Sequence, residues 1–135
     1  MTVREAMEGL RPLLARRSVV RRRLALLGGP GALQLPRLDG MPRSGWREYT
    51  CATITRLEAL VRERDELEDA IEPLRNRVAP LIDTLPIGPH RTVLKLRYLD
   101  GAPVEEVAWR AGYERRYTYK LLIDAERKLE ELDTK

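Results

Sequence analysis

Arg115, Arg116, Tyr117, Tyr119 and Lys120 fall within six consecutive residues, shortly after Gly112. A guanidinium can hold guanine through two hydrogen bonds, and an ammonium can reach a base or a phosphate. A phenol can pack its ring on a sugar or a thymine methyl and bond a phosphate through its hydroxyl. This set fits recognition of a polyanion better than bond making or breaking. The remainder of the chain offers little for catalysis. His90 and Cys51 are the single histidine and cysteine, too few for a Cys/His zinc cluster and for an internal disulfide. No glycine-rich phosphate loop, paired acids or metal-ligand spacing stands out. The chain is therefore expected to be no enzyme, with no catalytic residue, no bound metal and no cofactor. His90 reads as a surface or capping residue and Cys51 as a small apolar packing residue.

The elements that position these side chains are legible around them. Residues 114–132 carry Thr118, Leu121, Leu122, Ala125, Leu129 and Leu132 at helical spacing, which predicts a helix with that stripe inward. Arg115, Arg116, Tyr119 and Lys120 then lie on the opposite side, with Tyr117 at its margin. Before this helix, Pro103 opens a short one whose inner face is Val104, Val107 and Ala108. Its first turn holds Glu105 and Glu106, where the helix dipole favours acids. Gly112 closes it in the left-handed conformation that a sharp exit requires. Residues 90–99 form another short helix, ended by the Asp100-Gly101 turn. Two short helices, a glycine turn and a longer helix with a basic start make a helix-turn-helix, aiming the last helix outward amino end first. Ala102-Pro103 and Glu114 stand where a hydroxyl cap is usual, each lacking about 1 kcal/mol of capping. Trp109, out of phase with Val107 and Ala108, is expected to pack against helix 90–99 or across a domain boundary.

The stretch "LKLRYLDGAPVEEVAWRAGYERRYTYKLLIDAERKLEEL" resembles region 4 of primary-type bacterial sigma factors. Arg97-Tyr98, Asp100-Gly101, Glu105-Glu106-Val107-Ala108, Gly112, and Ala125 with Leu129 carry the match, which covers about residues 82–132. The resemblance implies base reading by Arg115, Arg116, Tyr117, Tyr119 and Lys120, and places Arg97 near a phosphate. With "TVREAMEGLRPLL", a proline and glycine loop and a long central helix, the whole chain resembles phage-encoded late transcriptional regulators of the ArpU/RinA type. That implies a regulator of phage genes working in the cytoplasm of a bacterial host.

The preceding residues organise as helices too. Ala6, Leu10, Leu13, Val20, Leu24 and Leu27 recur at steps of three and four over residues 3–27, interrupted by Arg17. Residues 28–46 read as a loop, with Trp46 as its anchor. From about residue 47 to 85 a heptad returns: Leu57, Ile71, Val78 and Leu85 at one position, Leu60, Leu67, Leu74 and Leu81 at the other. Pro73 and Pro80 lie off that stripe, and either bend this helix or divide it in two. Residues 1–47 hold ten arginines against three acids, whereas 48–85 hold five against nine. A basic arm and an acidic arm are expected to zip into a long antiparallel hairpin. Arg16, Arg17, Arg21, Arg22 and Arg23 spread around the helix, for pairing with the acidic arm or for DNA backbone. Charged residues are 34% of the 135 and aromatics 5%, with no alternating strand pattern and no apolar run that could span a membrane.

The fold expected is all-α: a helical hairpin or coiled coil over 1–85 for oligomerisation or partner contact, then a sigma region 4-like helix-turn-helix over 86–135. The function expected is a sequence-specific double-stranded DNA-binding transcriptional regulator. It would be a homo-oligomer, a dimer before other states, with RNA polymerase as a further partner and no membrane contact. The alternatives are a small-terminase-like phage DNA-packaging protein and an RNA polymerase-binding module that does not contact DNA.

Overall fold

The structure, a computed structural model, describes residues 1–28 and 43–134, with side chains for 1–27 and 51–134. The described chain is all-α. Helix α1 spans Val3–Gly28, α2 Arg43–Thr84, α3 Pro89–Leu94, α4 Val104–Ala111 and α5 Arg115–Asp133. A π-helical turn, Lys95–Leu99, follows α3 directly. Gly28 belongs to α1 and residues 43–46 to α2, so both ends of the expected loop are helical. Its centre, 29–42, and the Trp46 side chain lie outside the described residues. No helix among the described residues is long and apolar enough to cross a membrane.

α1 runs through Pro12, and α2 runs as one element through Pro73 and Pro80. Each proline removes a hydrogen bond to the carbonyl four residues back. All three are exposed, as are Glu8, Asp69 and Asn76, which own those carbonyls. Water can serve the freed oxygens there, so neither helix has to end.

The chain divides into two compact units. The first joins Met1–Ala15 to Asp69–Lys135, and the expected boundary at residue 85 falls inside it. α1 opens with a reciprocal cap. Thr2 Oγ1 accepts the Glu5 amide at 3.2 Å, and Glu5 Oε2 accepts the Thr2 amide at 3.4 Å. The start of α1 buries Val3, Ala6, Met7, Leu10 and Leu14, and the end of α2 buries Ile71, Val78 and Ile82. Met7, Leu14 and Ile82 stand outside the expected stripes, and Leu13, inside one, is only half-buried. One residue is a rotation of about 100°, so a modest tilt of the helix exchanges Leu13 for Leu14. A Cβ on Gly9 would come within 3.2 Å of Leu74 Cδ1, so this glycine makes room for that leucine.

Within the same unit α5 packs on α3 and α4, burying Thr118, Leu121, Leu122, Ala125 and Leu129. Polar ties reinforce that core. Arg11 donates from Nε to the Tyr98 hydroxyl at 3.1 Å and from Nη2 to Glu126 at 3.0 Å, and Tyr98 donates to Glu126. Asp133 near the end of α5 accepts the Val3 amide at 2.9 Å and pairs with Arg77. These donors hold the Asp133 carboxyl below its ordinary range, the Val3 amide first.

The second unit is Arg16–Glu68. Its α1 residues pair with acids of α2: Arg16 with Glu63, Arg17 with Glu68 at 3.5 Å, and Arg21 with Glu68 at 3.1 Å. Arg17, which breaks the apolar stripe, is buried beside that carboxylate. Cys51 is exposed, contrary to the packing role expected of it. Its place on α2 leaves the thiol facing outward, with no apolar cover from the described side chains.

Candidate functional site

The basic start of α5 depends on the turn before it. Gly112 has φ 78° and ψ 28°, the left-handed conformation expected at that position. Its amide bonds the Trp109 carbonyl at 3.3 Å, and the Tyr113 amide bonds the Ala108 carbonyl at 2.9 Å. Together these close α4 in the manner of a glycine C-cap. Glu114 is the N-cap of α5, without a side-chain cap bond, and Pro103 is the N-cap of α4, likewise uncapped. The buried Thr118 instead turns its hydroxyl back to the Glu114 carbonyl at 2.9 Å. That bond satisfies the one polar side chain on the inner face of the first turns.

With Thr118, Leu121, Leu122 and Ala125 inward, Arg115, Arg116, Tyr119 and Lys120 are exposed on the other side of α5. Arg115 is 65% exposed, and its guanidinium lies 5.8 Å from the centre of the Tyr119 ring. Its Nη2 is 2.9 Å from Glu105 Oε1 on α4. Tyr119, and then Glu105, favour the charged guanidinium and push it above its already high ordinary value. Tyr117 stands apart from this pair. Its ring meets Tyr113 edge-on at 5.2 Å and 79°, bracing the turn while remaining half-exposed.

Arg97 is separate from the five α5 residues. It lies on the π-helical turn, half-buried, with its guanidinium 5.9 Å from the centre of the Tyr98 ring. Its Nη1 donates to the Ala102 carbonyl at 3.3 Å, across the turn where Gly101 has φ 76°. Arg97 thus holds the entry to α4. Trp109, expected to pack, is 83% exposed. Val107 and Ala108 take the buried side of α4, and the next residue turns about 100° away from them.

Three contributors were not singled out as site residues in the sequence. Glu105 reads there as a first-turn acid; its meeting with Arg115 needs α4 and α5 placed side by side. Ile123 and Arg127 extend the exposed face of α5 beyond Lys120. Their spacing from Arg116, Tyr119 and Lys120 carried that signal. The described residues hold no group of His, Cys, Asp or Glu arranged for a metal. No protein-family model, curated protein or solved structure matches the chain.

Proposed function

We propose that the chain is a DNA-binding transcriptional regulator, similar in its last third to sigma region 4, in which α4, the Gly112 turn and α5 form a helix-turn-helix. α5 enters the major groove amino end first, and Arg115, Arg116, Tyr119 and Lys120 meet base edges and phosphates. Tyr117 and Arg97 flank that contact. α1 and α2 form an antiparallel hairpin that joins subunits or touches RNA polymerase. A phage origin and a bacterial cytoplasm belong to the same proposal.

One observation carries this reading: four cation- or phenol-bearing side chains stand exposed on the first two turns of α5, opposite its buried stripe. The groove is about 12 Å wide and admits a single helix. Bidentate arginine contacts to guanine contribute about 1–3 kcal/mol of discrimination each. The test is selection of bound duplexes from a random pool, followed by mobility shifts across a salt series. Affinity is expected to fall steeply with salt as phosphates shed counterions. Arg115→Ala with Arg116→Ala is expected to weaken binding by about 1–3 kcal/mol per lost base contact and to relax base preference. A double variant that binds the selected site as tightly as the parent removes α5 as the reading helix.

A further inference from the structure

α4 carries an acid where a polyanion would lie. Glu105 and Glu106 stand in its first turn, and Glu105 Oε1 is 2.9 Å from Arg115 Nη2 on α5. A carboxylate beside the proposed reading face repels phosphates and by itself weakens binding to every duplex alike. Here it also touches one particular arginine. The Arg115 guanidinium is held on two sides, by the Glu105 carboxylate from α4 and by the Tyr119 ring of α5, whose centre is 5.8 Å away. Arg116 and Lys120 share the exposed side of α5 and take no ion pair among the described residues.

We propose that Glu105 is a positioning residue for base recognition: it holds the Arg115 fork against the Tyr119 ring and away from phosphates, so that Arg115 reads one base pair, with guanine preferred. The inference rests on the reading of α5 as the helix that enters the major groove, and names what makes one of its contacts selective. An arginine on a helix surface has a long stem and many rotamers. Phosphates flank the groove on both sides, and a contact to one of them carries no sequence information. An untethered Arg115 would take phosphate or base. The Glu105 carboxylate occupies part of the guanidinium and opposes phosphate oxygens by like charge, which is selection through repulsion. The N–H groups it leaves free suffice for a bidentate contact to guanine. Holding the fork in place beforehand also lowers the entropy lost on binding. Solvent screens this pair in the free chain. A duplex displaces water from the surface, and the same two charges then interact more strongly. The outcome is lower affinity for duplexes in general and sharper preference at one base pair.

The test repeats the selection of bound duplexes and the salt series with Glu105→Ala, Glu105→Gln, Arg115→Ala and the double variant Glu105→Ala with Arg115→Ala. Arg115→Ala marks the base pair that Arg115 reads. Glu105→Ala is expected to lose about tenfold in preference at that same base pair. It should bind an unrelated duplex about twofold or more tightly, and its salt dependence should steepen by about one phosphate contact as the freed guanidinium turns to the backbone. Glu105→Gln keeps an acceptor without the charge and should lie between the parent and Glu105→Ala. In the double variant the Glu105 change should add no further loss of preference. Glu105 is exposed, and circular dichroism checks the helicity of each variant. An acid that serves only the dipole of α4 would alter stability and leave base preference as it was, and that result overturns the proposal. So does loss of preference at a different base pair, an equal weakening on all duplexes, or an Arg115→Ala variant with the parent's preference. If Glu105→Ala does not fold, Glu105→Gln decides: reduced preference at the Arg115 base pair supports the proposal, and the parent's preference overturns it. A chain that selects a site through Arg115 without help from Glu105 overturns this inference and leaves α5 as the reading helix, whereas a chain that binds no duplex removes both.

Discussion

Tyr98 ties the first unit together. Its hydroxyl accepts from Arg11 on α1 and donates to Glu126 on α5, while the ring is fully buried. Burial, and then the adjacent Glu126 carboxylate, push its phenol well above the ordinary value. The neutral phenol is therefore the form that the folded state prefers. Its stabilisation is complete below the unfolded tyrosine value of about 10 and is lost as pH rises past it. Tyr98→Phe is expected to lower stability by about 1–3 kcal/mol at neutral pH, as befits hydrogen bonds with charged partners. It should also flatten the alkaline decline. Urea unfolding of both proteins from neutral pH to about pH 11 measures the two effects, and parallel alkaline limbs would show that Tyr98 is not their source. Arg115 illustrates a weaker tie. Its pair with Glu105 is exposed on both sides, and solvent screens such a pair so that it contributes little.

At the scale of elements, the Gly112 turn decides where α5 points. Apart from its two chain neighbours, no described residue comes within 4 Å of a Cβ built there, so a larger residue meets no clash and the positive φ opposes it. Gly112→Ala is expected to destabilise by about 1–2 kcal/mol, the usual cost of left-handed backbone with a side chain. Gly112→Asn should recover part of that, since asparagine enters this region more easily. Thermal unfolding of the three proteins ranks them, and an alanine variant as stable as the parent would mean that the turn relaxes to another conformation. The reciprocal bonds of Thr2 and Glu5 are a second local device. The pattern Thr-x-x-Glu announces them in the sequence, although the apolar stripe of α1 draws the eye first.

For the whole molecule, the uneven burial of the described side chains in the two units has a kinetic consequence. Local opening is easiest where few apolar contacts must be broken. Amides of residues 51–68 are expected to exchange with solvent faster than those of 121–129, in which Leu121, Leu122, Ala125 and Leu129 are buried. Hydrogen exchange resolved by residue would show this gradient. Equal protection in both segments would contradict the contrast in packing.

By itself the sequence determined the all-helical class, the close of α4 at Gly112 and the phase of α5 that sets Arg115, Arg116, Tyr119 and Lys120 opposite Thr118 and Leu121. Each of these depends on residues within about one helical turn, through spacing, backbone freedom and capping, and so can be read locally. The course of α2 through Pro73 and Pro80 could not be read in that way, because it depends on whether the freed carbonyls face water. Tertiary structure alone decided that Arg17 is buried against Glu68, that Trp109 and Cys51 are exposed, and that Leu14 is buried where Leu13 is not. It also decided that Arg11, Tyr98 and Glu126 meet, although 87 residues separate the first from the second. Those outcomes depend on which helices lie side by side, and burial and pairing energies act between neighbours in space.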